Sequence, residues 1–548
     1  MSTRNHLEET HPYLPRLAQE VVEGKVSRRE FLRTATLLGL SAGAAYSIIG
    51  LAEPTARLAH AATGGTVRYA MRVMPIESPH TYSWLQDSNI TRNVCEFLTR
   101  TGADNITRPA LLEKWEAGDD LKVWTLYLRK GIKWSNGDDF VADHVVWNLK
   151  RMLDPAVGSS IVGLMKGYMM NDDGSALWDV NAIEKVDDHT VRLNARAEQL
   201  AVPEHLFHYP AHILHPSENG KFGVGSIGTG WASLTEHELG KKAVVKRRDG
   251  YWGTPASLDA VEFIDLGDDS AAIVAAISSG QVHGMHEGST TQYAALQKVE
   301  QVQIHVVPTA QTAVVRMNPN TPQWKDPRVR KAMRLAIDGK KVLQIAYLDL
   351  GNAGEHHHVA PVHPEYAKLP EMKQDFEAAK KLLAEAGLPD GFETEIFCKK
   401  DPDWEPIAVQ AMAEMWKQIG VKVNVRVLPS AQFWEIWDKE TNPFSFTEWT
   451  HRPLGVMVLG LAYRTGVPWN ESHWSNPKFD ELLAKAEGIL DVDKRREVMV
   501  QLETIMQEEG PIVQPLWRSV FTALDKRVKG FEIHPTLYIF CENWSLEA

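Results

Sequence analysis

The segment that decides the fold is LLEKWEAGDDLKVWTLYLRKGIKWSNGDDFVADHVVWNLKRM, residues 111–152. Residues 124–129 alternate between apolar and more polar side chains, which is typical of a β-strand with one buried face. The Asn136-Gly137 pair is a strong signal for a tight turn. Residues 142–151 have the spacing of an amphipathic helix, with apolar side chains at Val145, Leu149 and Met152. The segment therefore predicts a strand, a turn and a helix in that order.

Further elements are predicted on both sides of this segment. Residues 65–70 and 243–247 are rich in β-branched side chains and predict strands. Asp326-Pro327 predicts the start of a helix, because aspartate is a good N-cap and proline is favoured at the first helical position. The sequence outside residues 111–152 therefore predicts two strands and one helix start.

These stretches resemble the family 5 extracellular solute-binding proteins, which bind oligopeptides, dipeptides and nickel. The resemblance lies in residue types and in spacing, and it runs from about residue 65 to the C-terminus. It is carried by Leu111 to Trp115, Leu128-Arg129, Gly131 to Trp134, Gly137-Asp138, Ala142 to Val145, Gly228 to Trp231, Asn318 to Asn320, Asp326 to Asp338 and Trp474 to Leu483.

The resemblance implies an α/β, two-lobed periplasmic binding protein fold of type II, of the large class with an extra domain. Residues 62–97, 196–312 and 512–548 would form lobe one, and residues 98–195 the extra domain inserted in it. Residues 313–511 would form lobe two. In such proteins the lobes close on the ligand.

The first 61 residues have the pattern of an export signal. Residues 27–33 read SRREFLR, and the paired arginines followed by phenylalanine and leucine resemble twin-arginine signals. A mildly apolar run, 34–51, follows, and Ala59-His60-Ala61 offers the small residues that a signal peptidase cuts. We expect cleavage near Ala61 and a mature protein in the periplasm. The alternative is an N-terminal membrane anchor, since the run is nearly long enough to span a bilayer.

Composition limits the classes of partner that are expected and the chemistry that the cysteines can perform. The formal net charge of −12 argues against nucleic acid or an anionic membrane as a partner. The 18 tryptophans suggest, beyond the core, an aromatic-lined binding site. Neither a zinc knuckle nor a redox motif is indicated, because the three cysteines, Cys95, Cys398 and Cys541, form no CxxC pair. One disulfide with a free thiol and three unpaired thiols both remain open.

Several motifs suggest cofactor or metal sites but lack the required context. Residues 223–228 match GxGxxG, yet no predicted strand precedes them and no helix follows, so a dinucleotide is not expected. A nickel-binding branch exists among the resembled proteins, so metal binding at two histidine clusters is a minor alternative. The clusters are His205, His208, His212 and His215, which two prolines interrupt, and His356 to His358, which lie in a predicted loop.

The resemblance also points to candidate ligand-binding residues. In the oligopeptide binders a Trp-x-x-Asp motif lies at the cleft, and its carboxylate holds the amino terminus of the peptide. The corresponding residues here are Trp449 and Arg452, with His451 between them. A guanidinium would repel an ammonium and bind a carboxylate or phosphate. We therefore expect Arg452 to bind an acidic group of the ligand, with apolar walls from Trp449, Phe446 and Phe433. His451 is a further candidate ligand-binding residue. The alternative is that Arg452 is a surface charge.

The sequence therefore predicts a substrate-binding protein of an ABC importer, with no catalytic site, cofactor or metal. Its partners would be a small-molecule or peptide ligand and the permease subunits, and it would be a monomer. The ligand would be a peptide, an opine-like molecule or another amino-acid conjugate. A twin-arginine-exported periplasmic oxidoreductase is a rival class that requires a cofactor fingerprint. A peptide-binding chaperone of the same fold is a further alternative.

Overall fold

The computed structural model describes residue 7 and residues 10–51, 64–267 and 269–547. The chain forms two compact units. Unit 1 comprises Met1–His286, Val299–His305 and Thr522–Ala548, and unit 2 comprises Glu287–Lys298 and Val306–Phe521.

Helices and strands occur in both units. The helices are α1 Leu14–Val22, α2 Arg28–Leu37, α3 Ala42–Ile48, α4 Leu85–Thr91, α5 Ala142–Met152, α6 Ile161–Met169, α7 Val202–His205, α8 Ser270–Ser278, α9 Thr290–Leu296, α10 Pro327–Leu335, α11 Gly339–Tyr347, α12 Phe376–Glu385, α13 Trp404–Lys417, α14 Ser430–Ile436, α15 Gly455–Tyr463, α16 Pro477–Glu487 and α17 Val492–Glu508. The strands are β1 Thr66–Ala70, β2 Thr99–Thr101, β3 Thr107–Pro109, β4 Leu112–Ala117, β5 Val123–Leu128, β6 Ile183–Asp187, β7 Thr190–Asn194, β8 Ala232–Glu238, β9 Lys242–Arg247, β10 Ala260–Ile264, β11 Gly284–Met285, β12 Val302–Met317, β13 Gly351–Ala353, β14 Phe392–Lys399, β15 Val421–Leu428, β16 Phe444–Trp449, β17 Ile512–Val513, β18 Leu516–Asp525, β19 Val528–Lys529 and β20 Ser545–Leu546.

Unit 1 contains a mixed sheet and a smaller antiparallel one. The mixed sheet has the strand order β11-β1-β10-β9-β8, in which β1 runs parallel to both neighbours and β10, β9 and β8 are antiparallel. The smaller sheet has the order β4-β5-β7-β6. In β5 the side chains of Trp124, Leu126 and Leu128 are buried and alternate with more exposed ones. The alternation that predicts this strand therefore reflects one buried face.

The turn and the helix that follow β5 also form as predicted. Gly137 has a φ of +96°, and its N–H donates to the carbonyl of Trp134 at 2.9 Å. Glycine adopts this conformation without steric cost, which explains the turn. Helix α5 then buries Val145, Leu149 and Met152.

Unit 2 is built on the strand order β15-β14-β16-β12-β18. Strand β14 runs parallel to β15 and β16, and β12 runs antiparallel to β16. Helices α10, α11, α12 and α13 contribute to its apolar core, which includes the buried rings of Trp324, Trp404, Trp416, Phe444 and Phe446. The predicted cap of α10 is present, since the Asp326 carboxylate accepts from the N–H of Arg328 at 2.8 Å. The Asn476 side chain caps α16 in the same way.

The N-terminal segment folds as short helices within unit 1. Arg28 and Arg29 are exposed in the first turn of α2, whereas Phe31 and Leu32 are buried. The indole N–H of Trp115 donates to the carbonyl of Leu37 at 2.8 Å, which ties α2 to β4. The predicted cleavage residues 59–61 lie outside the described residues. Among the residues described, none of the helices has the length and apolarity needed to span a membrane.

Candidate functional site

The carboxyl ends of the parallel strands β14 and β16 lie next to each other in unit 2. Lys399 is the last residue of β14, and Glu448 and Trp449 are the last residues of β16. In open α/β sheets, ligands bind outside the carboxyl ends of the strands. This edge is therefore where the fold places a binding site.

Trp449 is held at this edge by a buried polar group. Its indole N–H donates to the carboxylate of Glu471 at 2.9 Å, and Glu471 in turn lies 3.4 Å from the guanidinium of Arg316. Burial raises the pKa of Glu471, and Arg316 opposes that shift. The Trp449 ring meets those of Trp469 and His358 edge to face, at centroid distances of 5.9 and 5.5 Å. The indole is thus fixed in orientation.

Arg452 lies in the buried loop after β16, which contradicts the alternative of a surface charge, because only 4% of the residue is exposed. Its Nη1 donates to the Thr450 carbonyl at 3.3 Å, to the Thr450 hydroxyl at 2.5 Å and to the His451 carbonyl at 2.9 Å. The Arg452 carbonyl lies 3.0 Å from His363 Nε2. His451 accepts from the N–H of Ala310 through Nδ1 at 3.0 Å. The loop therefore positions the guanidinium.

Of the two phenylalanines of the predicted site, Phe446 faces away from Trp449. Side chains alternate along a strand, so Phe446 and Glu448 face one side of the sheet and Trp449 faces the other. Phe446 is fully buried in the apolar core, where its ring meets Trp404 edge to face. Phe433 is fully buried on α14. The structure therefore joins Arg452 to His451 by a hydrogen bond and places Phe446 in the core, on the face of the sheet opposite Trp449.

A network of charged side chains at the same edge was not anticipated from the sequence. Lys399 Nζ lies 3.1 Å from a carboxyl oxygen of Glu405 and 2.9 Å from one of Glu448. Arg518 on β18 lies 3.8 Å from the other Glu448 oxygen and forms an ion pair with Glu287. The side chains of Glu448 and Glu287 are 22% and 27% exposed, whereas the other three are almost fully buried. The network thus presents two carboxylates held by two buried cations.

The ionisation of this network follows from burial and from the neighbouring charges. Burial raises the pKa of Glu405 well above its usual range, although Lys399 opposes that shift. Burial would also raise the pKa of Glu448, but Lys399 and Arg518 outweigh it and lower that pKa. Burial would lower the pKa of Lys399, yet Glu405 and Glu448 raise it. The surroundings therefore favour the charged forms of Lys399 and Glu448 and the protonated form of Glu405. Perturbed groups of this kind cluster at functional sites.

The first histidine cluster does not converge. His205, His208 and His212 lie near three different hydroxyl groups, those of Tyr168, Ser160 and Ser88, and His215 lies 3.2 Å from Asp138. Histidines 356–358 form a loop, as predicted, but their side chains are buried. Among the described residues no group of three or more His, Cys, Asp or Glu side chains could hold a metal ion.

The structure also shows the surroundings of the glycine-rich segment and of the three cysteines. Residues 223–228 form a loop followed by strand β8, not by a helix, so they do not form a dinucleotide-binding turn. Cys95, Cys398 and Cys541 are all buried and unpaired. Of the two open alternatives, the structure has three free thiols.

Comparison with known proteins identifies what the chain is similar to. The sequence model of the bacterial extracellular solute-binding proteins, family 5, matches residues 107–469, which is more than half of the chain. The dipeptide-binding protein DppE of Bacillus subtilis (strain 168) is 26% identical over 474 residues, covering 82% of this chain and 85% of DppE. The structure of the Escherichia coli murein tripeptide binding protein MppA superposes with a TM-score of 0.80 at 21% identity, covering 89% of this chain and 99% of MppA. The binding protein AgaA of A. tumefaciens R10, in complex with agropinic acid, gives a TM-score of 0.78 at 21% identity, covering 88% of this chain and 99% of AgaA. The predicted two-lobed α/β fold is confirmed by these likenesses.

Proposed function

Because the chain belongs to the bacterial extracellular solute-binding proteins of family 5, we propose that it is the exported substrate-binding protein of an ABC importer. It captures a small ligand that carries an acidic group and delivers it to the permease subunits. The ligand is a peptide, an opine-like molecule or another amino-acid conjugate. The names of relatives support this range, since they include a dipeptide-binding protein and a protein bound to agropinic acid. The protein binds this ligand without catalysing a reaction.

The observation that supports an acidic ligand is the burial of Arg452, three residues after Trp449. A buried guanidinium needs an anionic partner or dense hydrogen bonding, because its desolvation costs several kcal/mol. Three acceptors on its own loop engage Nη1 and orient the guanidinium. A carboxylate or phosphate of the ligand would be a favourable partner for this buried cation, and the indole of Trp449 would pack against the apolar part of the ligand.

The experiment combines native mass spectrometry with calorimetry. Mass spectrometry of the purified protein identifies a retained ligand, and calorimetry then measures its affinity for the wild type and for Arg452→Ala. We expect a loss of about 2–5 kcal/mol of binding free energy, as for other desolvated charged contacts. The control is Arg426→Ala, which removes an exposed arginine that is paired with Glu395 on β14. A loss below about tenfold, or roughly 1.4 kcal/mol, would show that Arg452 is not a ligand contact.

The export route and the domain assignment belong to the same proposal. The paired arginines Arg28 and Arg29 direct twin-arginine export to the periplasm, and cleavage near Ala61 releases the mature monomer. Residues 98–195 form an extra domain in lobe one, which closes with lobe two, residues 313–511, on the ligand. The exposure of both arginines at the start of α2 supports this reading, because an export receptor must reach them.

A further inference from the structure

The loop of three histidines that precedes Val359 is unusual in its backbone and in its burial. His356 and His358 have φ angles of +63° and +68°, a left-handed conformation that non-glycine residues seldom adopt. All three histidines are at most 3% exposed. Strained backbone of this kind persists only where the surroundings hold it, and it is concentrated at functional sites.

Two of the three imidazoles have evident structural roles. His356 accepts from the N–H of Gln514 through Nδ1 at 3.1 Å. His357 Nε2 lies 3.0 Å from a carboxylate oxygen of Glu355. The loop is therefore held by the side chains of the two residues that precede His358.

His358 differs from its neighbours because one of its ring nitrogens is buried without a hydrogen-bond partner among the described residues. Its Nδ1 lies 2.7 Å from the hydroxyl of Tyr463. Its Nε2 is buried and has no hydrogen-bond partner among the residues that the structure describes. An unpartnered buried polar atom costs about 1–3 kcal/mol, so such atoms call for an explanation.

The tautomer of His358 follows from counting donors and acceptors. If Tyr463 donates to Nδ1, the proton of the imidazole resides on Nε2, and one donor is left without a partner. If Nδ1 donated to Tyr463 instead, both the phenolic proton and Nε2 would be left without partners. The first arrangement leaves fewer unsatisfied groups, so Nε2 carries a proton and is a donor.

The surroundings of His358 define which kind of acceptor group its Nε2–H can bind. The ring lies edge to face with Trp449 and with Tyr463, at centroid distances of 5.5 and 5.7 Å. Burial, followed by the charges of His363 and Arg452, lowers the pKa of His358 to about 3. The imidazole is therefore neutral at neutral pH and lies within the electrostatic field of the Arg452 guanidinium. A negatively charged acceptor is the group that such a site favours.

We propose that His358 is a ligand-binding residue whose Nε2–H donates to a carboxylate oxygen of the ligand, beside the indole of Trp449. This inference rests on the proposed function, because it places a second donor at the acidic group assigned to Arg452. The acidic group is thereby held from two directions, by a point donor and by a guanidinium. The rival occupant of the position is a single buried water molecule, which would satisfy Nε2 equally well.

The test uses acetate, the simplest carboxylate with an apolar end, and the full chain stripped of retained ligand by unfolding and refolding. The protein is labelled with ¹⁵N at histidine, and the Nε2–H signal of His358 is identified as the one missing in His358→Asn. Asparagine tolerates a positive φ, and its carbonyl can still accept from Tyr463. We expect the signal to shift saturably with acetate and not with equal concentrations of sodium chloride.

The affinity for ¹³C-labelled acetate should fall at least about tenfold in His358→Asn. His356→Asn is the matched control, with the same loop and backbone conformation, and it should keep the wild-type affinity. His358→Gln, which can carry an N–H near the position of Nε2, is the second variant if His358→Asn does not fold, and it should recover part of the affinity. Equal acetate affinity in wild type and His358→Asn, or a His358 signal that exchanges only with water, would overturn the inference. Neither result bears on the proposed function, which is tested by identifying the retained ligand and by measuring its affinity for Arg452→Ala.

Discussion

Replacing Glu503 by glutamine is expected to stabilise unit 2 in a pH-dependent way. Glu503 lies on α17, fully buried, and its carboxyl group accepts from the N–H of Ala367 at 3.2 Å. Its other oxygen lies 3.6 Å from Nε2 of His357. Burial, aided by the nearby Glu355 and Glu365, raises the pKa of Glu503 to about 10. The carboxyl group is therefore protonated in the fold and ionised in the unfolded chain at neutral pH.

The size and sign of the effect follow from that difference. A folded pKa above the unfolded value of 4.5 contributes stability in full below pH 4.5, and this stability is lost as the pH rises toward 10. The loss is about 1.4 kcal/mol for each pH unit, or about 3 kcal/mol by pH 7. Glutamine has no proton to release. Glu503→Gln should therefore match the wild type near pH 4.5 and exceed it by up to about 3 kcal/mol at pH 7.

The assay is urea unfolding of both proteins at about pH 5 and about pH 8, where the free-energy difference should grow by about 4 kcal/mol. The control is Glu497→Gln, an exposed position on the same helix. It removes one carboxylate from solvent and should shift neither curve by more than about 0.5 kcal/mol. If Glu503→Gln ran parallel to the wild type across this pH range, Glu503 would be ionised in the fold, paired with a protonated His357, and the reasoning would be refuted.

Three further outcomes are expected. Lys399→Met removes the cation beside the buried carboxyl group of Glu405 and one of the two cations beside Glu448, so urea unfolding should show a loss of about 3–5 kcal/mol, against less than about 0.5 kcal/mol for the exposed Lys422→Met. Replacing Arg28 and Arg29 together by lysine should trap the precursor in the cytoplasm on cell fractionation, whereas Arg16→Lys should not; normal export of the double variant would contradict the twin-arginine assignment. Addition of the retained ligand should reduce the radius of gyration in small-angle scattering without altering the ligand, and chemically altered ligand that accumulates with incubation time would contradict a pure binding function.

Elements with local signals were predictable from the sequence. Strand β5, helix α5 and the capped start of α10 form where alternation, turn residues and an N-cap residue predict them. Each of these signals acts over a few residues, so no knowledge of the tertiary fold is needed. The two-lobed fold itself follows from the resemblance to a known family, which runs from about residue 65 to the C-terminus, and not from these elements alone.

Phe446, which was predicted to line the ligand site, shows that a sequence motif alone does not tell on which face of a strand a side chain lies. Phe446 precedes Trp449 by three residues, and in a strand an odd separation puts two side chains on opposite faces. Had residues 444–449 been recognised as a strand, the alternation would have assigned Phe446 to the core. The burial of histidines 356–358 could not be predicted, because it depends on partners as distant in the chain as Gln514 and Tyr463.

The charged network was missed for the same reason, and its position matters for function. Its members come from β14, α13, β16 and β18 and from Glu287, and only the strand order brings them together. Apolar side chains of similar volume would stabilise the fold as well or better, because buried ion pairs seldom repay their desolvation. At a ligand-binding site, in contrast, fixed charges can be favourable because they orient one ligand and disfavour the binding of other ligands. Glu448 directly precedes Trp449 at the end of β16, so the network and the indole lie at the same edge of the sheet but on opposite faces.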